Sequence, residues 1–383
     1  MKKYLYLCGM MLITTSIMAQ IDEGDDCWIP VINEQFTGSG RGWDSCFKEN
    51  TADPIWCVYY PETSTGVTIN TQYQVFQTNN CLFNNETFSD DKLRIIASFK
   101  GGPQECNVDY TIPLCYHFDC FNTNPHVYYH SGNFQTIRQN CHFGYYEVQC
   151  SLPVHKGIHT AFWLWGGNGS DYEEIDIMEY SKLDCQGDYY YGYSSGIWYN
   201  PNGLSYGVEH NVGKNYVHMS QSQPDIREMH TYGCEWLPDC IRFYQDGVVM
   251  KEYMNRDSIP QSKKWLKMGG YVIKKDALYS IDEHGIEVWD PWIGPDTLVV
   301  NYIQYYKLRT DCDTDECIQT LQQLQQLNSV KHSITISSTN GISIPLGTKK
   351  TIRATDFISI SGPFEVPVGG SLTIITQECP NTD

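Results

Sequence analysis

The chain has 383 residues, enough for one large domain with a small appendage or for two ordinary domains. Hydrophobic residues make up 41% of it and aromatic residues 14%, so a sizeable core can form and wholesale disorder is excluded. The formal net charge is -19 and no dense run of lysine and arginine occurs, which argues against nucleic-acid and anionic-membrane partners and favours neutral ligands.

The beginning of the chain has the pattern of an export signal. Lys2 and Lys3 precede an apolar stretch from Tyr4 to Met18, and Ala19-Gln20 is a plausible cleavage point. The stretch is too short for a spanning helix, and no later run approaches about 20 apolar residues. We therefore predict a signal peptide at residues 1–19 and a secreted protein.

Short strand-like runs follow, separated by Gly, Pro, Asn and Asp, whereas long amphipathic helical patterns are nearly absent. The runs, in chain order, are Lys92–Ala97, Gly144–Cys150, Thr160–Trp165, Ile241–Tyr244 and Thr297–Leu308. Regularly spaced short strands indicate an all-β fold, an antiparallel sandwich or barrel.

Sixteen cysteines are more than a reduced cytosolic enzyme usually carries. In an oxidising compartment they predict disulfide bonds, with one cysteine of the mature chain left over by parity. The alternative is zinc, because Cys115, His117 and Cys120 cluster, but the paired short spacings of structural zinc sites are absent. Spacing alone does not give the connectivity.

The texture of the sequence changes near Asp311. An acidic stretch, Asp311–Cys317, is followed by a run rich in Gln and Leu, Ile318–Leu327, which predicts a linker or a short helix. Ser333–Thr376 then alternates Ile, Val and Leu with Ser and Thr between glycines, which predicts a small all-β module, loosely repetitive but too short to establish a solenoid. The predicted divisions are a main domain at 20–310, a linker at 311–330 and the module at 331–383.

One acidic segment, Tyr172–Tyr180, stands apart. On a strand, Glu174 and Asp176 share one face, and Glu179 joins them only if a β-bulge lies between Asp176 and Glu179. Three crowded carboxylates favour protonation of one of them, and an ionised carboxylate beside a protonated one is what retaining glycoside hydrolysis uses. The simpler alternative is a solvated acidic face on an edge strand.

This segment resembles the bulged Glu-x-Asp-x-x-Glu signature of glycoside hydrolase family 16. Further segments resemble strands of that family in the same order, and together they cover residues 30 to 310. They are Phe143–Gln149, Gly157–Leu164, His230–Trp236 with Ile241–Gly247, and Val299–Tyr306. The resemblance implies a concave β-jelly-roll sandwich of the concanavalin A-like lectin and glucanase type, with a groove for an internal stretch of polysaccharide.

By position, the resemblance implies that Glu174 is the nucleophile, Glu179 the general acid/base, and Asp176 the carboxylate that tunes the charge of the pair. The chain is thus expected to be an endo-acting retaining glycoside hydrolase. A laminarin-like β-1,3-glucan is the first expected substrate, and an agar- or carrageenan-like β-galactan is the next.

Aromatic residues suit a sugar-binding face, because the C–H faces of a pyranose pack against flat rings. Trp163 and Trp165 fall on one face of their predicted strand, and Trp198 is a third candidate for substrate binding. The alternative for each tryptophan is a place in the core. His159 is expected to be structural or to line the groove rather than to bind a metal.

Several positions depart from the family pattern. His159-Thr160 stands where many members have Trp-Pro, and Lys267–Gly270 matches poorly the Asn-bearing strand before the usual double glycine. Asn301 stands where many members carry an Asp that helps hold a structural calcium. We therefore predict no cofactor and no metal site, although a carboxamide oxygen can also ligate calcium. The stretch Cys106–His130 is expected to be an insertion beside the groove.

Near the C-terminus, Ala354–Ser361 and Gly362–Gly370 resemble tails found on secreted proteins of the Bacteroidetes. The tail is interpreted either as a device for surface attachment, secretion or spacing, or as a stabilising cap. A bacterial extracellular or cell-surface location follows, with the periplasm less favoured. We expect a monomer whose partner is a polysaccharide, with no nucleic-acid or membrane partner.

Two other functions fit the same scaffold. A non-catalytic carbohydrate-binding protein would lack turnover, although such proteins usually lose one of the two glutamates and both are present. A transglycosylase would share the covalent intermediate and pass it to a sugar instead of water. A protease or nuclease has no support, because neither a nucleophile beside a histidine nor a metal triad is visible.

Overall fold

The computed structural model describes residues 25–36, 55–58, 68–70, 74–76, 81–82, 91–105, 126–155, 157–166, 172–181, 192–200, 211–218, 226–272, 279–281, 283–284, 287–290 and 295–380. The predicted signal peptide and the cluster of Cys106, Cys115 and Cys120 lie outside these residues. Within them, no helix is long and apolar enough to cross a membrane.

The described residues up to Leu308 form two β-sheets. The front sheet is antiparallel and has, from edge to edge, the strands β13 (Asn211–His218), β12 (Gly192–Asn200), β11 (Tyr172–Ser181), β10 (Ile158–Gly166), β17 (Trp265–Val272), β8 (Asn133–Thr136) and β2 (Trp56–Val58). Strands β10 to β13 follow one another in the chain, whereas β17, β8 and β2 join this sheet from distant parts of the sequence, as in a jelly roll whose chain crosses between the two sheets.

The back sheet is larger. Its main path is β16 (Val248–Tyr253), β15 (Ile241–Gln245), β14 (His230–Trp236), β9 (Gly144–Ser151), β20 (Asp296–Leu308), β6 (Leu93–Glu105), β7 (His126–Ser131), β4 (Gln74–Phe76) and β3 (Thr68–Asn70). Strand β1 (Trp28–Glu34) also pairs with β20, and β5 (Cys81–Leu82) with β6. A separate hairpin joins β18 (Tyr279–Ile281) and β19 (Glu287–Trp289), and a 3₁₀ turn spans Arg256–Ser258. The five strand runs predicted from sequence all coincide with strands.

The two sheets enclose one apolar core. Alternate residues of each strand point into it, as the period of two requires. From the front sheet come Phe162, Leu164, Ile175, Ile197, Leu266 and Met268, and from the back sheet Tyr146, Val148, Tyr232, Trp236, Phe243 and Ile303. Full burial of each large apolar side chain contributes about 1.5–3 kcal/mol, so this alternation fixes the register of the strands. The predicted all-β jelly-roll sandwich is confirmed.

The C-terminal module is built from parallel strands. Its elements are β21 (Thr310–Ile318), α1 (Leu321–Gln326), β22 (Val330–Ser337), β23 (Ile342–Ser343), β24 (Lys349–Ser361), β25 (Phe364–Glu365) and β26 (Ser371–Thr376). Ile342 lies beside Phe364 and Lys349 beside Ser371, so the chain returns to the same position after 22 residues. The loose repeat of the sequence therefore reflects successive coils of a small parallel stack.

Residues 311–330, predicted as a linker, differ from that expectation. Besides the short helix α1, they contribute most of strand β21, which pairs in parallel with β22. Ile318 is fully buried in the core of the module. The acidic residues of β21 gain partners across the strand pair, because Lys331 donates to Asp311 (2.5 Å) and Ser333 donates to Asp315 (2.6 Å). The acidic composition alone predicts a linker, because the residues that pair with these acids are distant in the sequence.

The module docks on the main domain through a buried arginine. Arg353 on β24 donates to Asp25 (2.7 Å) and contacts Glu235 on β14 (3.5 Å), and its guanidinium lies 5.3 Å from the ring centre of Trp28. Arg353, Asp25 and Glu235 are each no more than 5% exposed. Lys350 adds a second ion pair with Asp26 (2.7 Å). A small apolar cluster seals the same junction, with Cys27, Leu237, Cys240, Leu308 and Val330.

Several of the described cysteines are free thiols, although the sequence predicted disulfide bonds. Among the described residues, Cys312 and Cys379 form a disulfide that ties the end of the chain to the start of the module. Six others are free thiols: Cys27, Cys141, Cys150, Cys234 and Cys240, which are buried, and Cys317, which is exposed. The buried ones behave as small apolar residues, and burial raises the pKa of the Cys141 thiol to about 12.

Replacement of Arg353 by Met should weaken the whole protein. The substitution leaves the buried Asp25 without its cation, whereas Glu235 keeps its closer ion pair with Arg242 (2.8 Å); the loss of the Asp25 pair should cost about 3–5 kcal/mol in the free energy of unfolding. Arg256→Met is the matched control, because Arg256 pairs with Glu378 across the same junction but both are exposed, so about 1 kcal/mol or less is expected. Urea denaturation measures both, and equal losses would contradict the central role of Arg353.

Candidate active site

Strand β11 carries the bulge that the acidic segment requires. Opposite β12, Asp176 pairs with Gly196 and Glu179 with Ser194, so three steps on β11 match two steps on its partner. The register against β10 shifts at the same place. Met178 therefore turns to the core, where it is fully buried, and the side chain of Glu179 returns to the face that Glu174 and Asp176 occupy.

The outward side of the front sheet, here called the front face, displays ordered cross-strand rows. One row runs Trp265, Trp165, Glu174 and Trp198. The next runs Lys267, Trp163, Asp176 and Gly196, and the third runs Gly269, Ala161, Glu179 and Ser194. Directly opposed side chains are about 4.5–5.5 Å apart at Cβ, so the six residues predicted as the site lie within one continuous patch.

Large and small side chains are segregated within this patch. Indoles flank Glu174 in the first row, whereas only small residues flank Glu179 in the third. Gly269 has to be small, because a Cβ there would lie 2.8 Å from the side chain of Asn133. The arrangement places small side chains around Glu179 and a flat aromatic border beside Glu174, which suits a pyranose ring lying across the sheet.

Side chains from both neighbouring strands hold Glu179. Ser194 donates from its hydroxyl to Oε2 (3.2 Å), and Nε2 of His159 lies 3.4 Å from Oε1. The side chain of Glu179 keeps 19% of its surface exposed, while that of His159 keeps 8%. His159 therefore lines the face beside a carboxylate, as expected, and Glu179 has both a fixed orientation and access from outside.

Asp176 is held differently. Its carboxylate accepts a hydrogen bond from the indole Nε1 of Trp198 (3.0 Å), and the residue is only 4% exposed. Trp198 thus serves two purposes, because the same ring that borders the patch orients the central carboxylate. A tryptophan whose N–H is engaged in this way presents a fixed plane.

Two residues that sequence analysis did not assign to the site complete the aromatic border. Trp265 stacks on Trp165, with ring centroids 5.7 Å apart and planes inclined by 26°. Lys267 places its ammonium 4.3 Å from the ring centre of Trp165. The alternation of Trp265 and Lys267 on one strand was visible in the sequence, but the pairing of β17 with β10 was not.

The first glutamate of the Glu173–Glu174 pair has a separate, structural role. Glu173 points to the inside, where the ammonium of Lys264 and the backbone and hydroxyl of Ser262 all donate to one carboxylate oxygen. Lys264 is fully buried. Burial lowers the pKa of Lys264 to about 8, against the opposing attraction of Glu173.

The position considered for calcium holds a protein hydrogen bond instead. Asn301 donates from its side-chain amide to Gln149 (2.6 Å) on the adjacent strand β9. In the part of the chain that the structure describes, no group of three His, Cys, Asp or Glu residues could hold a metal ion. We assign no chemical step to a metal.

Comparison with known proteins identifies the family of this site. The sequence profile of the family described as glycosyl hydrolases family 16 matches residues 70–278, more than half of the chain. The chain belongs to glycosyl hydrolases family 16. The matched region contains the bulged strand β11 and both of its neighbours.

Two curated relatives are similar to this chain over about half of their own length. A beta-glucanase of Acetivibrio thermocellus is 30% identical over 186 residues, which are 46% of this chain and 46% of that protein. The xyloglucan endotransglycosylase/hydrolase protein 8 of Oryza sativa subsp. japonica is 30% identical over 179 residues, 46% of this chain and 56% of that protein. The chain thus spans about half of the length of these curated relatives.

Among solved structures, the catalytic domain of an endo-1,3-beta-glucanase (laminarinase) from Thermotoga petrophila RKU-1 is similar to this chain. The TM-score is 0.50 at 19% identity, and the alignment covers 74% of this chain and 99% of the other. This likeness concerns the fold of the sandwich.

The same substitution should destabilise the protein to different extents at the two adjacent glutamates. Glu173→Gln leaves the buried ammonium of Lys264 without its counter-charge and should lower the free energy of unfolding by about 3–5 kcal/mol. Glu174→Gln relieves the crowding of three front-face carboxylates and should therefore cost less than Glu173→Gln does. Urea denaturation of the two variants checks this, and equal destabilisation would refute the assignment of their opposite faces.

Proposed function

We propose that this protein is a secreted, endo-acting, retaining glycoside hydrolase of β-linked polysaccharides. The observation that carries the proposal is the bulged strand β11, which brings Glu174, Asp176 and Glu179 onto one aromatic-bordered face. Family membership supports the reaction class. The aromatic border of the face supports binding of an internal stretch of a chain.

The first chemical step uses both glutamates. A carboxylate oxygen of Glu174 attacks the anomeric carbon, and the bond between that carbon and the glycosidic oxygen breaks. Glu179 gives its proton to the departing oxygen, so the leaving sugar departs as a neutral alcohol. The product is an ester between the sugar and Glu174. Asp176, fixed by Trp198, adds a carboxylate between them that stabilises positive charge at the anomeric carbon.

The second step reverses the roles. Glu179, now ionised, takes a proton from a water molecule, and the water oxygen attacks the anomeric carbon. The ester bond breaks and Glu174 leaves as a carboxylate. Ser194 and His159 hold Glu179 in place for both proton transfers. Two inversions at one carbon give net retention.

For the substrate we propose a β-glucan, with laminarin-like β-1,3-glucan first and an agar- or carrageenan-like β-galactan next. The relatives named beta-glucanase support a glucan. The front face also favours a neutral chain, because three carboxylates there oppose a sulfated one. Export is supported by the N-terminal signal pattern, and we propose an extracellular or cell-surface location.

The wild-type protein should release oligosaccharides from one of laminarin, mixed-linkage glucan, agarose or carrageenan in a reducing-end assay. Glu174→Gln should lower kcat at least 1000-fold, because an amide oxygen is a poor nucleophile. Glu173→Gln, assayed below its unfolding transition, is the matched control and should keep most activity. Retention of a polymer on the folded wild-type protein without any release would instead indicate a carbohydrate-binding protein.

The stereochemistry and length of the products separate the remaining alternatives. We expect ¹H NMR of a fresh digest to show the new reducing end first as the β anomer, because hydrolysis through an ester on Glu174 retains configuration. The second candidate, a transglycosylase, is favoured by the similarity to the rice endotransglycosylase/hydrolase. It would give products longer than the starting oligosaccharide when acceptor is added, and an initial α anomer would exclude both.

A further inference from the structure

Lys267 is a buried cation within the front face. It lies on β17, directly opposite Trp163 on β10, and only 3% of the residue is exposed. A lysine is seldom buried to this degree without a charge to serve, because removing an ammonium from water is costly. The residue types around it are those of a sugar-binding face rather than those of the core.

The direction of the Lys267 side chain indicates which carboxylate its charge stabilises. The ammonium lies 4.3 Å from the ring centre of Trp165 and 5.9 Å from that of Trp163, so it leans toward the row of Trp165. The next residue in that row is Glu174. Lys267 and Glu174 therefore both adjoin the indole of Trp165, in a poorly hydrated layer where charges interact strongly.

The electrostatics agree with this geometry. Burial lowers the pKa of Lys267 to about 7, and the attraction of Glu174 opposes that shift. Below neutral pH, where a retaining glycosidase needs its nucleophile ionised and its acid protonated, the side chain of Lys267 thus carries its positive charge.

The other charged groups on the face have partners of their own. From β11, Asp176 accepts from Trp198, and Glu179 faces Ser194 and, from β10, His159. The described residues of β8 contribute only the amides of Asn133 and Gln135 beside β17, and β17 itself adds no further charge to the face.

We propose that Lys267 is a positioning residue for Glu174, which keeps the nucleophile ionised at mildly acidic pH. The inference rests on the proposed function, in which Glu174 attacks the sugar. As the bond to the sugar forms, Glu174 loses its negative charge, and the electrostatic stabilisation between Glu174 and Lys267 is lost. Lys267 therefore extends activity toward low pH and does not raise the rate where Glu174 is ionised in any case.

The test measures the ionisation of Glu174 directly and then its effect on the rate. In protein labelled with ¹³C at the glutamate side-chain carboxyl, the resonance of Glu174 is assigned by its absence from Glu174→Gln. Its titration midpoint should rise by about one pH unit in Lys267→Met and Lys267→Gln, since one charge at this range and an effective dielectric near ~20 has such an effect. Lys267→Arg should keep the wild-type midpoint.

The matched control is Lys251→Met. Lys251 lies 4.5 Å from the ring centre of Tyr253 on the back sheet, and burial lowers its pKa to about 8, so it resembles Lys267 but lies on the other sheet. This variant should leave the titration of Glu174 unchanged. The acidic limb of kcat/KM on the cleaved polysaccharide should move up in the neutral Lys267 variants by the same pH unit, which is a tenfold loss well below that limb.

The outcomes separate this inference from the proposed function. An unchanged midpoint in both neutral variants would overturn the role of Lys267, as would an equal loss of kcat/KM at every pH, which marks a structural role. Unfolding of both neutral variants would assign Lys267 to stability and would also overturn it. If the wild-type protein cleaves no polysaccharide, the proposed function fails, while the NMR titration still decides whether Lys267 holds Glu174 ionised.

Discussion

The candidate site depends on one extra residue in strand β11. Without the bulge between Asp176 and Glu179, strict alternation would send Glu179 into the apolar core and Met178 to the surface. The core resists that outcome, because burying an unpaired carboxylate costs far more than burying a methionine side chain gains. Core packing and the bulge therefore enforce each other, and the position of the third carboxylate follows from the packing on the opposite side of the sheet.

The same alternation divides the charges of β11 between the two faces. Glu173 turns inward and pairs with Lys264. Glu174 turns outward, beside Trp165, and the ammonium of Lys267 lies against the same indole. Two consecutive glutamates thus each have a buried lysine near them. Both lysines come from residues 264–267, one on the inner side of the sheet and one on the front face. The inner pair stabilises the strand, whereas the outer arrangement controls a charge that the proposed chemistry consumes.

The C-terminal module joins this framework from the opposite side. Arg353 inserts between Asp25 and Glu235 on the back sheet, so the module contacts the sandwich away from the front face. Three residues that would each be costly to bury alone are stable as a group. The module therefore does not cover the front face, and it stays fixed to the sandwich.

Local sequence patterns were sufficient to predict the all-β class, the main strands and the three carboxylates of the front face. Periodicity and the Glu-x-Asp-x-x-Glu spacing are local, so a single segment contains the whole signal, including the need for a bulge. The tryptophans at 163 and 165 were likewise visible from their alternation. The acidic stretch after Asp311 has the composition of a linker but lies in strand β21, because the partners of its charges are on a later strand.

The residues beside each carboxylate follow from strand pairing, which no local pattern reveals. Trp265 and Lys267 reach the site because β17 pairs with β10, although about a hundred residues separate them in the chain. Strand pairing in a jelly roll is non-local, and its register is fixed by core packing rather than by any local pattern. The pairing of Cys312 with Cys379, and the burial of Arg353 against Asp25, have the same origin.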